Sequence, residues 1–247
     1  MLIINLFIKV SRKVGELFYN LPDLVFDKSL AKRAFSSFLD NDLDKEIGSV
    51  SYRKFHYDIK NIPGMTGDCE GQLLFYLALL GEVKGDVIEI GSWLGRSTLL
   101  LAKGCQISGN GIVHAVDTFK GNPGKEHIYK APLKKGETIF RRFLENIRLV
   151  GLEKFVEVHK SSSEMARGKL GRVRARLIFI DACHDYEEVK RDIENWESLL
   201  IYGGYMVLHD FSSDSIGCVR AISEDIVNSD SYKLMVLLDS MLVVKKI

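Results

Sequence analysis

The sequence predicts an α/β fold with a seven-stranded, mostly parallel sheet, helices on both faces, a C-terminal antiparallel hairpin and an N-terminal helical extension. Short apolar runs alternate with segments of helical periodicity, which is typical of right-handed βαβ units. The last two runs are separated by only two residues, too few for a parallel crossover, so they predict the hairpin. The apolar runs lie at 86–90, 112–116, 155–158, 176–180, 204–208, 232–238 and 241–244.

The extension covers residues 1–60 and the α/β domain covers residues 61–247. Apolar side chains in residues 1–26, such as Leu6, Val10 and Val14, recur near helical spacing. This pattern favours a helix that packs on the body of the protein or on a second copy, with a helix lying on a membrane surface as the alternative. The segment lacks a run of bilayer-spanning length, so stable membrane insertion is not expected.

The helices between the strands follow from capping and periodicity. After a Pro-Gly loop at 63–64, Thr66 or Asp68 can cap a helix that continues to Leu80. The loop at 119–135 contains several Gly and Lys residues and either covers a ligand or forms a surface connection. Further helices are predicted at 97–103, 137–150, 185–200 and 215–228.

The composition limits the classes of function. The chain has 247 residues, 46% of them hydrophobic, and a formal net charge of +1, so it can bury a sizeable core and gives no reason to expect a nucleic-acid partner. The basic residues from Arg167 to Arg176 are expected to form a solvated loop before a strand. The four cysteines lie far apart, which argues against zinc–cysteine and disulfide frameworks and favours a cytoplasmic location.

The most informative segment is 86–102, where an apolar strand stops at Gly91, turns through Gly95 and continues as a helix. Glycine lets the backbone approach a ligand closely, and free N–H groups at a helix start favour a negative group. In an open parallel sheet this junction lies at the carboxyl edge, where ligands bind. The glycine spacing matches neither the dinucleotide nor the phosphate-loop pattern, so an ordinary glycine-rich turn remains the alternative.

Acidic and imidazole groups follow other strands at the same predicted edge. Asp117 follows the second strand, where it can accept hydrogen bonds from ribose hydroxyls or serve as a loop cap. Asp181 and His184 follow the fourth strand, and His209 and Asp210 follow the fifth. Core packing does not require so many titratable groups. Carboxylate oxygens suit Mg²⁺, and structural Asp–His pairing is the alternative.

With these motifs the chain resembles the class I S-adenosylmethionine-dependent methyltransferases. Within that class it is similar to small-molecule O-methyltransferases of the catechol, caffeoyl-CoA and macrocin types and to cephalosporin-hydroxylase-like proteins. The resemblance covers about residues 62–246 and implies a Rossmann-like fold, with residues 61–247 as the methyltransferase domain. It is carried by the order and spacing of the segments 62–66, 89–98, 115–119, 180–186, 200–204 and 209–211, together with Glu70.

The resemblance implies a site for S-adenosylmethionine. Glu89, Gly91 and Ser92 would hold its methionyl part, Asp117 would hold its ribose, and the loop after the third strand would lie near the adenine. The implied cofactor-binding set is Glu70, Glu89, Gly91, Ser92, Asp117, Thr118, Ser162, Ser163 and Asp181.

The resemblance also implies a metal and a base. Carboxylates at the positions of Asp181 and Asp210 bind Mg²⁺ in the metal-dependent relatives, and His209 is added to the predicted metal ligands. Asp181 and His184 form the predicted catalytic pair, with His184 deprotonating the acceptor hydroxyl. Two departures weaken the metal prediction: His184 stands where the catechol-type enzymes have lysine, and Phe211 stands where they have an asparagine ligand. The His-Asp-Phe order is similar to the macrocin-related branch.

The predicted function is methyl transfer from S-adenosylmethionine to a hydroxyl of a small molecule or sugar acceptor, assisted by Mg²⁺, by direct in-line displacement. One alternative is a non-catalytic cofactor-binding or scaffold protein of the same fold. Another is an NAD-dependent or nucleotide-dependent oxidoreductase, which the missing G-x-G-x-x-G pattern disfavours. The N-terminal helices could also form a homo-oligomer.

Overall fold

The computed structural model describes residues 48–247, with side chains described from residue 52 onward. The predictions for the first 47 residues, including the helix at 1–26 and its role in an oligomer, lie outside the described residues. Among the helices that are described, none is both long enough and apolar enough to cross a membrane.

Strands and helices alternate along this part of the chain. The strands are β1 (Asp86–Ile90), β2 (Val113–Asp117), β3 (Val156–Lys160), β4 (Ala175–Ile180), β5 (Leu200–Leu208), β6 (Tyr232–Leu238) and β7 (Met241–Lys246). The α-helices are α1 (Gly48–Ile59), α2 (Asp68–Leu80), α3 (Arg96–Ser108), α4 (Glu126–Lys130), α5 (Ile139–Leu149), α6 (Ser163–Lys169), α7 (Tyr186–Trp196) and α8 (Ile216–Ile222).

The strands form one seven-stranded sheet in the order β3-β2-β1-β4-β5-β7-β6. Strands β1 to β5 pair in parallel, whereas β7 is antiparallel to both β5 and β6. The predicted mixed sheet with its C-terminal hairpin is therefore confirmed. The chain winds outward from β1 to β3 on one side and from β4 on the other, so the carboxyl ends of β1 and β4 form a topological switch point.

Helices cover both faces of the sheet. Alternate strand residues point to opposite faces, so each face of the sheet contributes side chains to its own core. Val87 and Leu177 face the core formed with α1, α2, α3 and α5, whereas Ile88 and Ile178 face the core formed with α6, α7 and α8. Tyr52 of α1 is buried in the first of these cores. The last part of the predicted extension thus packs directly on the α/β domain.

The prediction of a solvated basic loop is wrong for part of its length. Arg172 and Arg174 are exposed, but Arg167 lies in α6, and Arg176 is only 1% exposed. The Arg176 guanidinium donates hydrogen bonds to the carbonyl oxygens of Ala78 (2.7 Å), Asn110 (2.8 Å) and Gly85 (3.0 Å). A buried arginine is tolerated here because backbone carbonyls replace its lost hydration.

Candidate functional site

A cleft opens at the switch point, between the loops that follow β1, β2 and β4. Residues 64–66, which precede α2, form part of its rim. The sequence-predicted residues that line this cleft are Gly91, Ser92, Asp117, Thr118, Ser163, Asp181 and His184. The structure therefore brings together residues that are far apart in the sequence.

The loop after β1 approaches β4 so closely that only glycine fits at its first turn. Gly91 has φ +93°, and a Cβ atom there would lie 2.0 Å from the carbonyl oxygen of Asp181. Gly95 has φ +91°, and its Cβ would lie 3.0 Å from the ring of Phe143. Both glycines are needed for backbone conformation and for close approach. The backbone of this loop consequently forms a wall of the cleft.

Glu89 contacts this loop from the protein interior and does not line the cleft. It is fully buried, and its carboxyl group accepts hydrogen bonds from the hydroxyls of Ser92 (2.7 Å) and Thr98. Burial raises the pKa of Glu89 to about 7, although hydroxyl donors including Ser97 oppose the shift. Glu89 therefore positions Ser92, which does reach the cleft, and direct contact between Glu89 and a cofactor stays a prediction.

Asp117 serves as a loop cap, which is one of the two roles that the sequence left open. Its Oδ2 atom accepts hydrogen bonds from the backbone N–H groups of Ser92 (2.9 Å) and Trp93 (2.8 Å), and its Oδ1 atom accepts one from Phe119. Burial raises the pKa of Asp117, and these three N–H donors oppose the shift. Three of the four lone-pair positions of the carboxylate are therefore used, and one on Oδ1 remains. Asp117 therefore caps the loop and retains acceptor capacity toward the cleft, which it lines.

The two predicted adenine-side serines take different positions. Ser163 lines the cleft, and its hydroxyl donates to Asp192 and accepts a hydrogen bond from Trp196 Nε1 at 2.8 Å. Ser162 is the N-cap of α6 and accepts a hydrogen bond from the backbone of Met165. The hydroxyl of Ser162 caps the helix and the residue does not line the cleft, so its contact with a cofactor stays a prediction.

His209 lies at the centre of a cluster of carboxylates. Its Nδ1 atom is 3.1 Å from Asp210 Oδ2 and 3.4 Å from Asp181 Oδ1, and its Nε2 atom is 3.3 Å from Glu70 Oε2. Although burial opposes the charge, these carboxylates raise the pKa of His209 to about 11. A protonated imidazole has no free lone pair for a metal. In this state His209 is a counter-ion to the carboxylates, and metal binding by His209 stays a prediction.

Glu70 links His209 to the start of α2 and to the turn between β6 and β7. It accepts hydrogen bonds from the backbone N–H of Gly67 (2.8 Å), at the start of α2, and from the hydroxyl of Ser240 (3.0 Å), in the turn between β6 and β7. Burial acts to raise the pKa of Glu70. The hydrogen bond and the positive charge of His209 outweigh this effect and lower the pKa to about 2. Glu70 does not line the cleft, and its direct contact with a cofactor stays a prediction.

Asp181, His184 and Asp210 form a group whose donor atoms all lie within 4.8 Å of one another. His184 Nε2 is 3.0 Å from Asp210 Oδ2. Burial raises the pKa of Asp181 to about 7. Burial also acts to raise the pKa of Asp210, but the hydrogen bond and charge of His209 produce a net lowering. Two carboxylates beside an imidazole fit a divalent cation.

The loop after β2 folds over the cleft. Asn122 Nδ2 donates to the carbonyl oxygen of Ala182 at 3.2 Å, and Trp93 Nε1 donates to the carbonyl oxygen of Tyr129 at 3.0 Å. The rings of Trp93 and Tyr129 meet edge to face with their centroids 6.0 Å apart. Asn122 and Tyr129 line the cleft. Sequence reasoning missed both residues, because no motif marks them within a Gly- and Lys-rich loop.

Known proteins share this architecture. A family described as "Methyltransferase domain" matches residues 88–211. The O-methyltransferase NovP superposes with a TM-score of 0.58 at 17% identity, over 74% of this chain and 81% of that one. An O-methyltransferase from Bacillus cereus, in complex with SAH, gives 0.54 at 19% identity over 82% and 94% of the two chains. CalS11, a calicheamicin methyltransferase, gives 0.58 at 13% identity over 90% and 93%.

Proposed function

Because the chain belongs to this methyltransferase family and has the fold of class I O-methyltransferases, we propose that it transfers a methyl group from S-adenosylmethionine to a hydroxyl of a small-molecule or glycosyl acceptor. One observation carries the proposal: Gly91, Asp117 and His184 line the same cleft at the switch point. A close-packed backbone, a carboxylate acceptor and a partly exposed imidazole are the groups that cofactor binding and proton transfer require.

The residues present fit the methyl donor. Asp117 would accept a hydrogen bond from a ribose hydroxyl, and the loop at Gly91 and Ser92 would hold the methionyl part. The solved structure of the Bacillus cereus relative with SAH, the demethylated form of this cofactor, supports the same choice. When bound, the cofactor would supply an electrophilic methyl group on its sulfonium.

His184 is the proposed general base. Its Nε2 atom lies 3.0 Å from Asp210 Oδ2, so in the neutral ring the proton on Nε2 would be donated to Asp210 and Nδ1 would keep its lone pair. The acceptor hydroxyl would pass its proton to Nδ1 as its oxygen bonds to the methyl carbon and the carbon–sulfur bond breaks. Asp210 fixes the ring orientation, which is the usual role of a carboxylate behind a histidine base.

Asp181 and Asp210 would hold Mg²⁺, which would lower the pKa of the acceptor hydroxyl when bound. Both carboxylates also face the positive charge of His209, which disfavours a second cation at the same place. The expected consequence is modest metal affinity in the free protein, strengthened when an acceptor oxygen completes the coordination shell.

The test uses the full chain and two ligands. Calorimetric titration should show one equivalent of S-adenosylhomocysteine bound and no binding of NAD. Isotope-labelled S-adenosylmethionine should then label hydroxyls in a panel of catechols and glycosides. Binding of NAD without S-adenosylhomocysteine would favour the oxidoreductase alternative. Binding of S-adenosylhomocysteine without methyl transfer to any acceptor in the panel would favour a non-catalytic cofactor-binding protein.

A further inference from the structure

A second cluster of imidazole and carboxylate groups lies on β2 and β3, and none of its members lines the cleft. The parallel register pairs His114 with Glu157 and Val116 with His159. Because alternate strand residues share a face, His114, Glu157 and His159 all project from the same side of the sheet. His114 is 4% exposed, and the side chain of His159 is 10% exposed. The methyl-transfer chemistry proposed above does not use these three residues.

The separations between the donor atoms are those of a coordination shell. His114 Nδ1 lies 3.2 Å from His159 Nε2 and 3.6 Å from Glu157 Oε2, and His159 Nε2 lies 3.6 Å from Glu157 Oε1. The bonds from zinc to nitrogen or oxygen ligands are about 2.0–2.2 Å long. In a tetrahedral site, bonds of this length place neighbouring ligand atoms about 3.3–3.6 Å apart. The three side chains therefore need little rearrangement to share one ion.

We propose that His114, Glu157 and His159 form a binding site for a divalent transition-metal ion of the zinc type. Two imidazoles and one carboxylate are a ligand set that zinc uses, and imidazole favours such ions over Mg²⁺. The Glu157 side chain is 55% exposed, so the ion can enter from solvent and take water as its fourth ligand. The site contains no cysteine, which explains why the cysteine spacing gave no indication of it.

A carboxylate behind His114 supports the assignment. Asp86 Oδ2 lies 3.5 Å from His114 Nε2, the ring nitrogen that faces away from Glu157 and His159. Asp86 is itself held by a hydrogen bond from the backbone N–H of Ile112 at 3.0 Å. Metal-binding histidines commonly direct their second ring nitrogen toward a carboxylate, which fixes the ring and its tautomer. Asp86 occupies that position for His114.

Metal binding would join the edge strand β3 to its neighbour β2. An ion that binds only the folded protein stabilises it by mass action. Among the strands that the structure describes, β3 lies at the edge of the sheet and pairs only with β2. Metal would therefore raise the melting temperature without any requirement for cofactor or acceptor.

The experiment separates this site from the cluster in the cleft. In the full-length chain, H184A and D210N are combined so that the cleft cluster loses two ligands. Metal-free protein is titrated with Zn²⁺ in a calorimeter and with Co²⁺, whose visible absorption reports tetrahedral coordination. One equivalent should bind in this background, and Zn²⁺ should raise its melting temperature. Adding H159A should weaken binding by roughly 100-fold or more, since loss of an outer-shell partner alone costs 10- to 100-fold.

Two further variants keep the test decisive. E157Q changes an exposed side chain, so it should keep the fold and still weaken binding even if H159A does not fold. H127A removes an exposed histidine of α4 and should leave binding unchanged. The proposal is overturned if the background variant binds no equivalent of Co²⁺ or Zn²⁺, or if folded H159A and E157Q bind as tightly as the background. Neither result would bear on methyl transfer in the cleft.

Discussion

The Nε2 atom of His184 lies 3.0 Å from the Oδ2 atom of Asp210, and the two side chains follow the ends of the adjacent strands β4 and β5. The same carboxylate oxygen lies 3.1 Å from Nδ1 of the buried His209. One carboxylate thus contacts a partly exposed imidazole on the cleft and a protonated imidazole behind it. This arrangement orients His184 and compensates the charge of His209.

Replacing His184 by alanine should lower kcat by roughly 10²- to 10⁴-fold, because positioned proton transfer contributes about that much. Affinity for S-adenosylhomocysteine should change little, since the base acts on the acceptor. The pH profile of the rate should also differ between wild type and H184A, because the variant lacks this proton acceptor. H127A, at an exposed position, is the control. A folded H184A enzyme with wild-type kcat and pH profile would remove His184 from the mechanism.

Chelation tests the metal role of Asp181 and Asp210. We expect EDTA to abolish methyl transfer and Mg²⁺ alone to restore it, because two carboxylates with water suit that ion. The variant D210N should require more Mg²⁺ for the same rate. Restoration of methyl transfer by Mg²⁺ would also distinguish this site from the zinc-type site on β2 and β3. Full activity in the presence of chelator would instead mean that Asp181 and Asp210 act only through their contacts with His184 and His209.

Removing the carboxyl group of Glu70 should destabilise the fold. Glu70→Ala leaves His209 without one of its buried counter-charges and leaves the N–H of Gly67 without its acceptor. Breaking a buried pair in this way costs about 3 kcal/mol. Glu82→Ala is the matched control, because the Glu82 side chain is 64% exposed in its ion pair with Lys245, and such pairs contribute about 1 kcal/mol or less. The free energy of unfolding, measured with urea, should fall much more in Glu70→Ala than in Glu82→Ala. Equal decreases in the two variants would contradict this role of Glu70.

The buried Glu89 predicts how stability depends on pH. Its pKa in the folded protein is about 7, against an ordinary 4.5, so folding favours the protonated form. This contribution is fully present below about pH 4.5 and is lost as pH rises to about 7, an effect of about 3 kcal/mol. Glu89→Gln mimics the protonated form, so its stability should match that of wild type at low pH and exceed it above pH 7. Parallel stability curves for the two proteins would contradict the assignment.

The parts predictable from sequence were those with a local signal. Strand and helix periodicities indicated the sheet, and the rule that ligands collect at the carboxyl edge brought Asp117, Asp181 and His184 to one cleft. The contacts of Glu70 were not predictable, because its partners His209 and Ser240 lie 139 and 170 positions away. Arg176 was placed in a solvated run because its charge dominates the local pattern, whereas burial depends on carbonyls from other elements.

The methyl donor is expected to bind at the carboxyl ends of β1 and β2, with its ribose on Asp117. Calorimetric titration of S-adenosylhomocysteine into wild-type protein and D117A tests it most directly, with D58A as an exposed control and melting curves to show that each variant folds. Each hydrogen bond to a charged acceptor contributes about 1.5–3 kcal/mol, so affinity should fall roughly tenfold or more in D117A and stay unchanged in D58A. Equal affinity in folded D117A and wild type would contradict the account.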